Sequence, residues 1–265
     1  MKELEFRGVS VAFGTPLSPV FEQMSFDVER GEVISLVGPS GCGKTTTLAV
    51  LGGFLRPSSG SALMRGVEIR GASHERGLVF QEHCLFPWLT VRGNVAFGPR
   101  MQGAGKSEQQ VAVKEWLKRV GLEGQEDKYP FELSVGMMQR VGIARVLAAQ
   151  PDVLLLDEPF AALDTERRYD LQDMLLSLLN DRTRTAVVAT HDLEEAVFLS
   201  DRVFVFGTSP KGIREVLRVG LPRSRQPELR YESEFTRLKA KLVELVRAEI
   251  RSGSATPVGQ TVAPT

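Results

Sequence analysis

Residues 38–45 carry the clearest chemical pattern in this chain. They read Gly-Pro-Ser-Gly-Cys-Gly-Lys-Thr, with four residues between the outer glycines and with Lys44 and the hydroxyl residue Thr45 at the end. An apolar strand-like segment (32–37) precedes them and a helical segment (46–51) follows, which disfavours a chance Gly-rich turn. The pattern predicts a nucleotide phosphate site wrapped by backbone N–H groups, where Lys44 neutralises the outer phosphates and Thr45 ligates Mg²⁺. The residues predicted to bind nucleotide here are Gly38, Pro39, Ser40, Gly41, Cys42, Gly43, Lys44, Thr45 and Thr46.

Two acids follow a second strand-like segment. Residues 153–156 are Val-Leu-Leu-Leu, and Asp157 and Glu158 come directly after them. A continuously apolar strand is typical of a parallel sheet covered on both faces, and ligands collect at the carboxyl ends of such strands. Neighbouring strand residues point in different directions, so one carboxylate can serve Mg²⁺ and the other an attacking water. A merely solvated strand end is disfavoured because the chain already has a phosphate loop.

Gln81 and His191 also follow strand-like segments, 77–80 and 185–190. A single histidine is more often structural. His191 nevertheless follows a core strand as Glu158 does, at a place where its imidazole can reach a terminal phosphate.

The first thirty residues alternate apolar and polar positions and predict two or three antiparallel strands. Phe13 ends one of them, just before a turn at residues 14–16. Its ring can stack on a base or pack in the core, and the pattern leaves both interpretations open.

Residues 91–150 are predicted to be mostly helical and to form a subdomain. Ser107 followed by Gln110 predicts a capping box at the start of one helix, and Ser134 predicts the N-cap of another. Helix N-termini bind anions, although ordinary capping alone would also explain Ser134.

The segment 84–89, Cys-Leu-Phe-Pro-Trp-Leu, is an apolar cluster whose proline excludes a regular helix. It can be buried under the chain's own loops or can dock a partner, and the cluster alone favours burial.

The composition limits the classes of function. Lys plus Arg and Asp plus Glu number 33 each, so no overall charge attracts nucleic acid or anionic lipid. The two cysteines form no disulfide or zinc pattern, which fits a reducing cytoplasm. No apolar run approaches the roughly 20 residues of a membrane-spanning helix, and the N-terminus lacks a signal-peptide core.

Together and in this order, the phosphate loop, Gln81, the segment 133–140, Asp157-Glu158, the Ala-Leu-Asp at 162–164 and His191 resemble the ATP-binding cassette ATPases. The resemblance implies an α/β fold, a P-loop NTPase (RecA-like) core with an N-terminal antiparallel β subdomain and an inserted α-helical signature subdomain. It divides the chain into a cassette at 1–220, with the insertion at about 91–150, a helical extension at 221–251 and a disordered tail at 252–265. Motifs such as Leu-Phe-Pro-Trp-Leu at 85–89 are most similar to importers of nitrate, sulfonate and taurine, with taurine-type cassettes nearest.

The resemblance also implies roles for single residues. Glu158 is the general base, His191 holds the γ-phosphate and orients Glu158, and Phe13 stacks on adenine. Two cassettes pair head to tail, and each completes the other's ATP site. The implied catalytic residues are Glu158, His191, Gln81 and Lys44, the implied Mg²⁺ ligands are Thr45, Gln81 and Asp157, and the residues implied at the partner's site or the subunit seam are Ser134, Gly136 and Asp164.

The implied cofactors are ATP and Mg²⁺, and the implied partners are a second cassette, two integral-membrane permease subunits and a periplasmic solute-binding protein, but no nucleic acid. The permeases would dock between Leu85 and Leu89, an interpretation that the resemblance favours over burial. The chain would sit peripherally on the cytoplasmic face of the inner membrane and power uptake of a small anion. Importers of thiamine precursors or bicarbonate, exporters, cassette ATPases that do not transport, and a metabolic phosphate-loop kinase are the alternatives.

The signature segment departs from the family pattern at Val135, where a glycine is usual. A β-branched residue there would be strained if the position needs a positive φ, or would crowd the incoming ATP if it needs a small side chain. Both predict slower closure of the dimer. A second prediction is thiolate character for Cys42, which lies at a helix N-terminus.

Overall fold

The computed structural model describes residues 1–82, 84–180 and 182–254, with side chains of the last helix described to Arg251. The strands of this part of the chain are β1 (Lys2–Phe13), β2 (Ser18–Glu29), β3 (Val33–Val37), β4 (Ser59–Met64), β5 (Val67–Glu68), β6 (Arg76–Val79), β7 (Val153–Asp157), β8 (Thr185–Ala189), β9 (Arg202–Phe206) and β10 (Ile213–Arg218). The α-helices are α1 (Lys44–Gly52), α2 (Val91–Val95), α3 (Phe97–Met101), α4 (Lys106–Arg119), α5 (Val135–Ala148), α6 (Thr165–Leu179), α7 (Leu193–Leu199) and α8 (Ser233–Ser254). Short 3-10 helices span Pro130–Glu132 and Pro227–Tyr231.

The strands form two sheets. The first is antiparallel, in the order β2-β1-β4-β5, and the second has the order β10-β9-β3-β8-β7-β6. Strands β9, β3, β8, β7 and β6 pair in parallel, and β10 joins the edge antiparallel to β9. Every residue of β3, β7 and β8 is buried, as their continuous apolar sequences predict for strands covered on both faces.

Alternate residues of β3 feed two separate cores. Ile34 and Leu36 pack with α1 and the antiparallel sheet, whereas Val33 and Val37 pack with the helices on the opposite face. This alternation follows from the two-residue period of a strand. The phosphate loop therefore follows a strand whose two faces pack in two different cores.

Helices α2 to α5 lie between β6 and β7 in the chain, as predicted. The predicted capping box at Ser107 and Gln110 is wrong. Helix α4 begins at Lys106, two residues earlier than an N-cap at Ser107 requires, and the Glu108 carboxylate accepts a hydrogen bond from the Gly105 N–H at 2.7 Å. Gly105 takes an extended backbone that brings its own N–H within reach of Glu108. Ser134 is the N-cap of α5, as predicted, and its Oγ accepts from the Met137 N–H at 3.3 Å.

The C-terminal helix α8 packs on the rest of the chain through one apolar face, as predicted. Phe235, Leu238 and Leu242 are buried within the main core cluster. Of the tail predicted to be disordered, residues 255–265 lie outside the described residues. Among the helices that the structure describes, none is both long and apolar enough to cross a bilayer.

Candidate active site

The phosphate loop leaves β3 at Val37 and enters α1 at Lys44. Two glycines fix its path because both take positive φ angles, 151° at Gly38 and 102° at Gly43. A Cβ at Gly38 would lie 2.8 Å from the Phe206 carbonyl oxygen, and a Cβ at Gly43 would lie 2.8 Å from the Phe21 ring. Larger residues would therefore push the loop away from the strands behind it, which is the physical reason for glycine here.

An open cleft with a volume of about 320 Å³ lies over this loop. Lys44 lies in it, with its Nζ donating to the carbonyl oxygens of Gly38 at 2.9 Å and Pro39 at 3.3 Å. The structure thus brings together most of the predicted site residues in one cleft. Its lining residues are Val20, Ser40, Gly41, Cys42, Gly43, Lys44, Thr45, Thr46, Gln81, Asp157 and Glu158.

Asp157 and Thr45 both line the cleft. Asp157 is buried at the end of β7. Burial raises its pKa above the ordinary value, the Thr45 hydroxyl opposes that rise, and the nearby charge of Glu158 adds to it. The hydroxyl and carboxylate oxygens, together with the Gln81 amide on the same cleft, are the hard ligands that suit Mg²⁺.

Glu158 and His191 form a pair at the mouth of the cleft. His191 Nδ1 lies 2.6 Å from Glu158 Oε2, and the histidine side chain is 72% exposed against 15% for the glutamate. The register of β7 and β8 explains this meeting, since Asp157 is opposite Ala189 and the chain continues from both strands in parallel. Since Nδ1 faces Glu158, the second ring nitrogen, Nε2, lies on the other side of the imidazole. Because the imidazole is exposed, that nitrogen is accessible to a ligand.

The backbone of Glu158 is held in an unusual conformation. Its φ is +48°, and its N–H donates to the Ala189 carbonyl oxygen at 2.9 Å. A non-glycine residue in the left-handed region costs on the order of 1–3 kcal/mol and is concentrated at functional sites. This conformation turns the carboxylate out of the line of β7 and towards His191.

Sequence reasoning missed a buried acid behind this pair, Glu195 in the first turn of α7. Glu195 is 4% exposed, and its Oε1 has no hydrogen-bond partner among the described residues. Burial, followed by the charges of Asp192 and Glu158, raises the pKa of Glu195 to about 8. A usable signal was present, because Asp192 begins the helix as its N-cap and places the acid three residues later in the buried first turn.

Besides His191, and besides Gly38 and Pro39 at the start of the loop, four predicted residues lie outside the lining of this cleft in the described chain. Phe13 is 48% exposed at the end of β1, so packing in the core is the wrong interpretation. Ser134 and Gly136 lie at the N-terminus of α5, and Asp164 is the N-cap of α6, where it accepts from the Arg167 N–H at 3.0 Å. Their roles towards nucleotide stay predictions.

Two predictions about the loop and the signature segment need correction. Val135 is the first residue of α5 and is absent from the positive φ conformations of the described chain, so the strain interpretation is wrong. Its side chain is 54% exposed, which leaves the crowding interpretation.

The predicted thiolate character of Cys42 is also wrong. The residue is 1% exposed, and burial raises the pKa of its thiol despite the nearby Lys44 charge.

The apolar segment at 85–89 is only partly covered by the chain. Trp88 is 71% exposed, which contradicts burial, and its ring lies 5.6 Å from that of Phe86. Phe86 in turn lines a groove of about 360 Å³ together with Phe80 and Phe97. Docking of a partner at this groove stays a prediction.

Comparisons with known proteins agree with this geometry. The family model described as ABC transporter matches residues 21–161, more than half of the chain. The chain is 42% identical to the taurine import ATP-binding protein TauB of Jannaschia sp. (strain CCS1), over 83% of this chain and 83% of that protein. It is 39% identical to the aliphatic sulfonates import ATP-binding protein SsuB of Bacillus cereus (strain ATCC 10987 / NRS 248), over 89% and 93% of the two chains.

Among solved structures, the chain is similar to a dimeric post-hydrolysis state of the ATP-binding cassette MJ0796 bound to ADP and Pi. The TM-score is 0.75, the sequences are 27% identical, and the match covers 82% of this chain and 98% of that one. These similarities confirm the predicted P-loop fold with its antiparallel β subdomain. The chain therefore belongs to the ATP-binding proteins of the ABC transporter family, which are ATPases coupled to transport.

Proposed function

We propose that this chain is the ATP-hydrolysing subunit of an importer of small sulfonates, with taurine as the first solute to test and nitrate as the second. Relatives at about 40% identity that are import proteins for taurine and aliphatic sulfonates support this branch. The single observation that carries the hydrolytic role is the 2.6 Å contact between Glu158 and His191 beside the phosphate loop.

Glu158 is the general base for the attacking water. The His191 contact occupies Glu158 Oε2, so Oε1 is the oxygen that takes the water's proton. With Nδ1 directed at the carboxylate, His191 presents Nε2 to the γ-phosphate and holds Glu158 in place at the same time. Catalysis of this kind works by positioning and by neutralising charge rather than by covalent chemistry.

Phosphate binding requires Lys44 to exchange partners. Its ammonium group is bonded to two loop carbonyls, and phosphate oxygens replace these when nucleotide enters. Thr45, Asp157 and Gln81 would hold Mg²⁺, which would supply positive charge beside the phosphates.

A second copy of the chain completes each site. Ser134 and Gly136 bring the N-terminus of α5 to the partner's ATP, Phe13 stacks on its own adenine, and Asp164 lies at the seam between the copies. The similar cassette of known structure is a dimer bound to ADP and Pi, which supports this arrangement. It also accounts for polar helix N-termini that lie outside the cleft of the single chain.

The remaining partners follow from an import role. Two permease subunits dock at the groove beside Trp88, on the cytoplasmic face of the inner membrane, and a periplasmic protein delivers the solute. The exposed Trp88 ring supports a protein contact there, because it lies beside Phe86 of the apolar groove and contiguous exposed apolar surface marks interaction sites.

Uptake by cells that lack the gene tests the proposal. Cells complemented with the natural chain are expected to accumulate labelled taurine or an alkanesulfonate, and cells given Glu158→Gln are not. Nitrate is measured in parallel. ATP hydrolysis by the purified chain without restored uptake of any of the three anions would overturn the sulfonate assignment and leave the ATPase assignment intact.

A further inference from the structure

Residues 219–251, which follow β10, contact helix α7 at its C-terminal end. Arg225 is buried and donates from Nη1 to the carbonyl oxygens of Val197 at 3.0 Å and Phe198 at 2.5 Å, and from Nη2 to that of Ser200 at 2.8 Å. The last carbonyls of a helix have no partner within the helix. One guanidinium therefore satisfies the end of α7, which is only seven residues long.

The same residues also contact α7 at its N-terminal end, through helix α8. Lys239 of α8 donates from Nζ to Glu194 Oε2 at 2.5 Å. The Glu194 N–H is bound by the N-cap Asp192 at 2.9 Å, and Asp192 is the residue directly after His191. Lys239 is thus connected to the backbone of His191 through two contacts.

The side of α7 is held by a third group. Arg230 is buried with its guanidinium 3.4 Å from the ring centre of Phe198 and 4.4 Å from that of Tyr169 on α6. Its Nη2 also donates to Gln172 Oε1 on α6 at 2.9 Å. The planar cation therefore ties α7 to α6 through stacking and a hydrogen bond.

The position of the His191 imidazole depends on the position of α7. It is largely exposed, and its polar contact in the described chain is with Glu158. The ring is consequently placed by the backbone that leads into α7 rather than by packing around it. An error in the position of α7 moves the imidazole relative to Glu158.

We propose that Arg225, Arg230 and Lys239 are positioning residues for ATP hydrolysis, through which the C-terminal extension fixes α7 and so holds His191 against Glu158. The inference rests on the proposed role of His191. It assigns a function to the C-terminal extension, which begins at residue 221. A purely structural role would stabilise the fold without changing turnover by folded protein.

Charge reversal at Lys239 tests the proposal in the full-length chain. Lys239→Glu places like charges at the Glu194 contact, whereas Lys241→Glu makes the same change at an exposed position two residues along α8. We expect Lys239→Glu to lower kcat about tenfold, since a misplacement of 1 Å can cost on the order of a hundredfold in rate. The affinity for a fluorescent ATP analogue should stay unchanged, and adding Glu194→Lys should restore kcat. Lys241→Glu should behave as the natural chain does.

Arg225→Lys is the second variant, because a lysine keeps the charge but replaces the planar fork of three nitrogens with a single ammonium group. It should also lower kcat without changing nucleotide affinity, after correction for the folded fraction measured by thermal unfolding. Normal kcat in both Lys239→Glu and Arg225→Lys, alongside its loss in His191→Ala, would overturn the inference and leave the proposed function standing. Parallel losses of kcat and ATP affinity would also overturn it. Normal turnover by His191→Ala would remove the role proposed for His191, and the inference with it.

Discussion

Replacing Glu195 with glutamine should make the stability of this protein less dependent on pH. Glu195 is buried in the first turn of α7, and one carboxyl oxygen has no partner among the described residues. Burial raises its pKa to about 8, helped by the like charges of Asp192 and Glu158, while the Thr190 hydroxyl and the Arg168 charge oppose the rise. The folded protein therefore holds this group as a neutral acid at neutral pH.

The sign and size of the effect follow from proton linkage. A carboxyl group whose pKa is higher in the folded chain binds more protons there than in the unfolded chain. The free energy of unfolding consequently falls as pH rises, from the ordinary pKa of 4.5 to about 8. At about 1.4 kcal/mol for each unit of pKa, the full loss above that window is about 5 kcal/mol. Roughly half of it, about 2.5 kcal/mol, falls between pH 5 and pH 7.

Urea unfolding at pH 5, 7 and 9 measures this loss. Glutamine has nearly the same shape and carries no charge at any of these pH values. The free energy of unfolding of Glu195→Gln should therefore rise relative to that of the natural chain as pH rises. Any change in the free energy of unfolding that the amide itself causes is the same at every pH, so it cancels when the differences at pH 5 and pH 9 are compared. Glu244→Gln, at an exposed position on α8, is the matched control and should give a constant difference. A difference for Glu195→Gln that is the same at pH 5 and pH 9 would refute the reasoning.

Three further predictions concern the site itself. Glu158→Gln should lower the rate of phosphate release about 10²- to 10⁴-fold, the usual contribution of a general base, with nucleotide affinity retained. Turnover within tenfold of the natural rate would contradict that role. Val135→Gly should raise turnover without changing ATP affinity, because it removes an exposed isopropyl group beside Ser134. Equal turnover would count against crowding. Maleimide at pH 7 should label the exposed Cys84 well before the buried Cys42, as peptide mapping can show. Preferential labelling of Cys42 would mean that the loop is open in solution.

The sequence alone predicted the elements whose signals are local. The phosphate loop is one continuous motif, and β3, β7 and β8 are continuous apolar runs, so their positions follow from neighbouring residues. Strand β10 gave no such signal because most of its residues are exposed at the sheet edge. It forms because β9 offers an unpaired edge, which is a property of the sheet.

The two departures from prediction have different causes. Cys42 lies at a helix N-terminus, where a thiolate is favoured, but the fold buries it and the cost of desolvation is larger. Helix α4 starts at Lys106 because the Glu108 carboxylate reaches back to the Gly105 N–H, although Ser107 offers a side-chain cap. The first departure comes from burial, which the sequence does not display, and the second from a choice between two neighbouring caps that the sequence displays equally.

What the sequence determined was which chemical groups the protein has and the order in which they occur: a phosphate loop, two acids after a strand, and a histidine after another. The tertiary structure decided their relations. The parallel register of β7 and β8 brings Glu158 to within 2.6 Å of His191, and Arg225 and Lys239 contact the two ends of the helix that follows that histidine. Distances between residues far apart in the chain depend on strand register and on burial, and both are set only when the whole chain has folded.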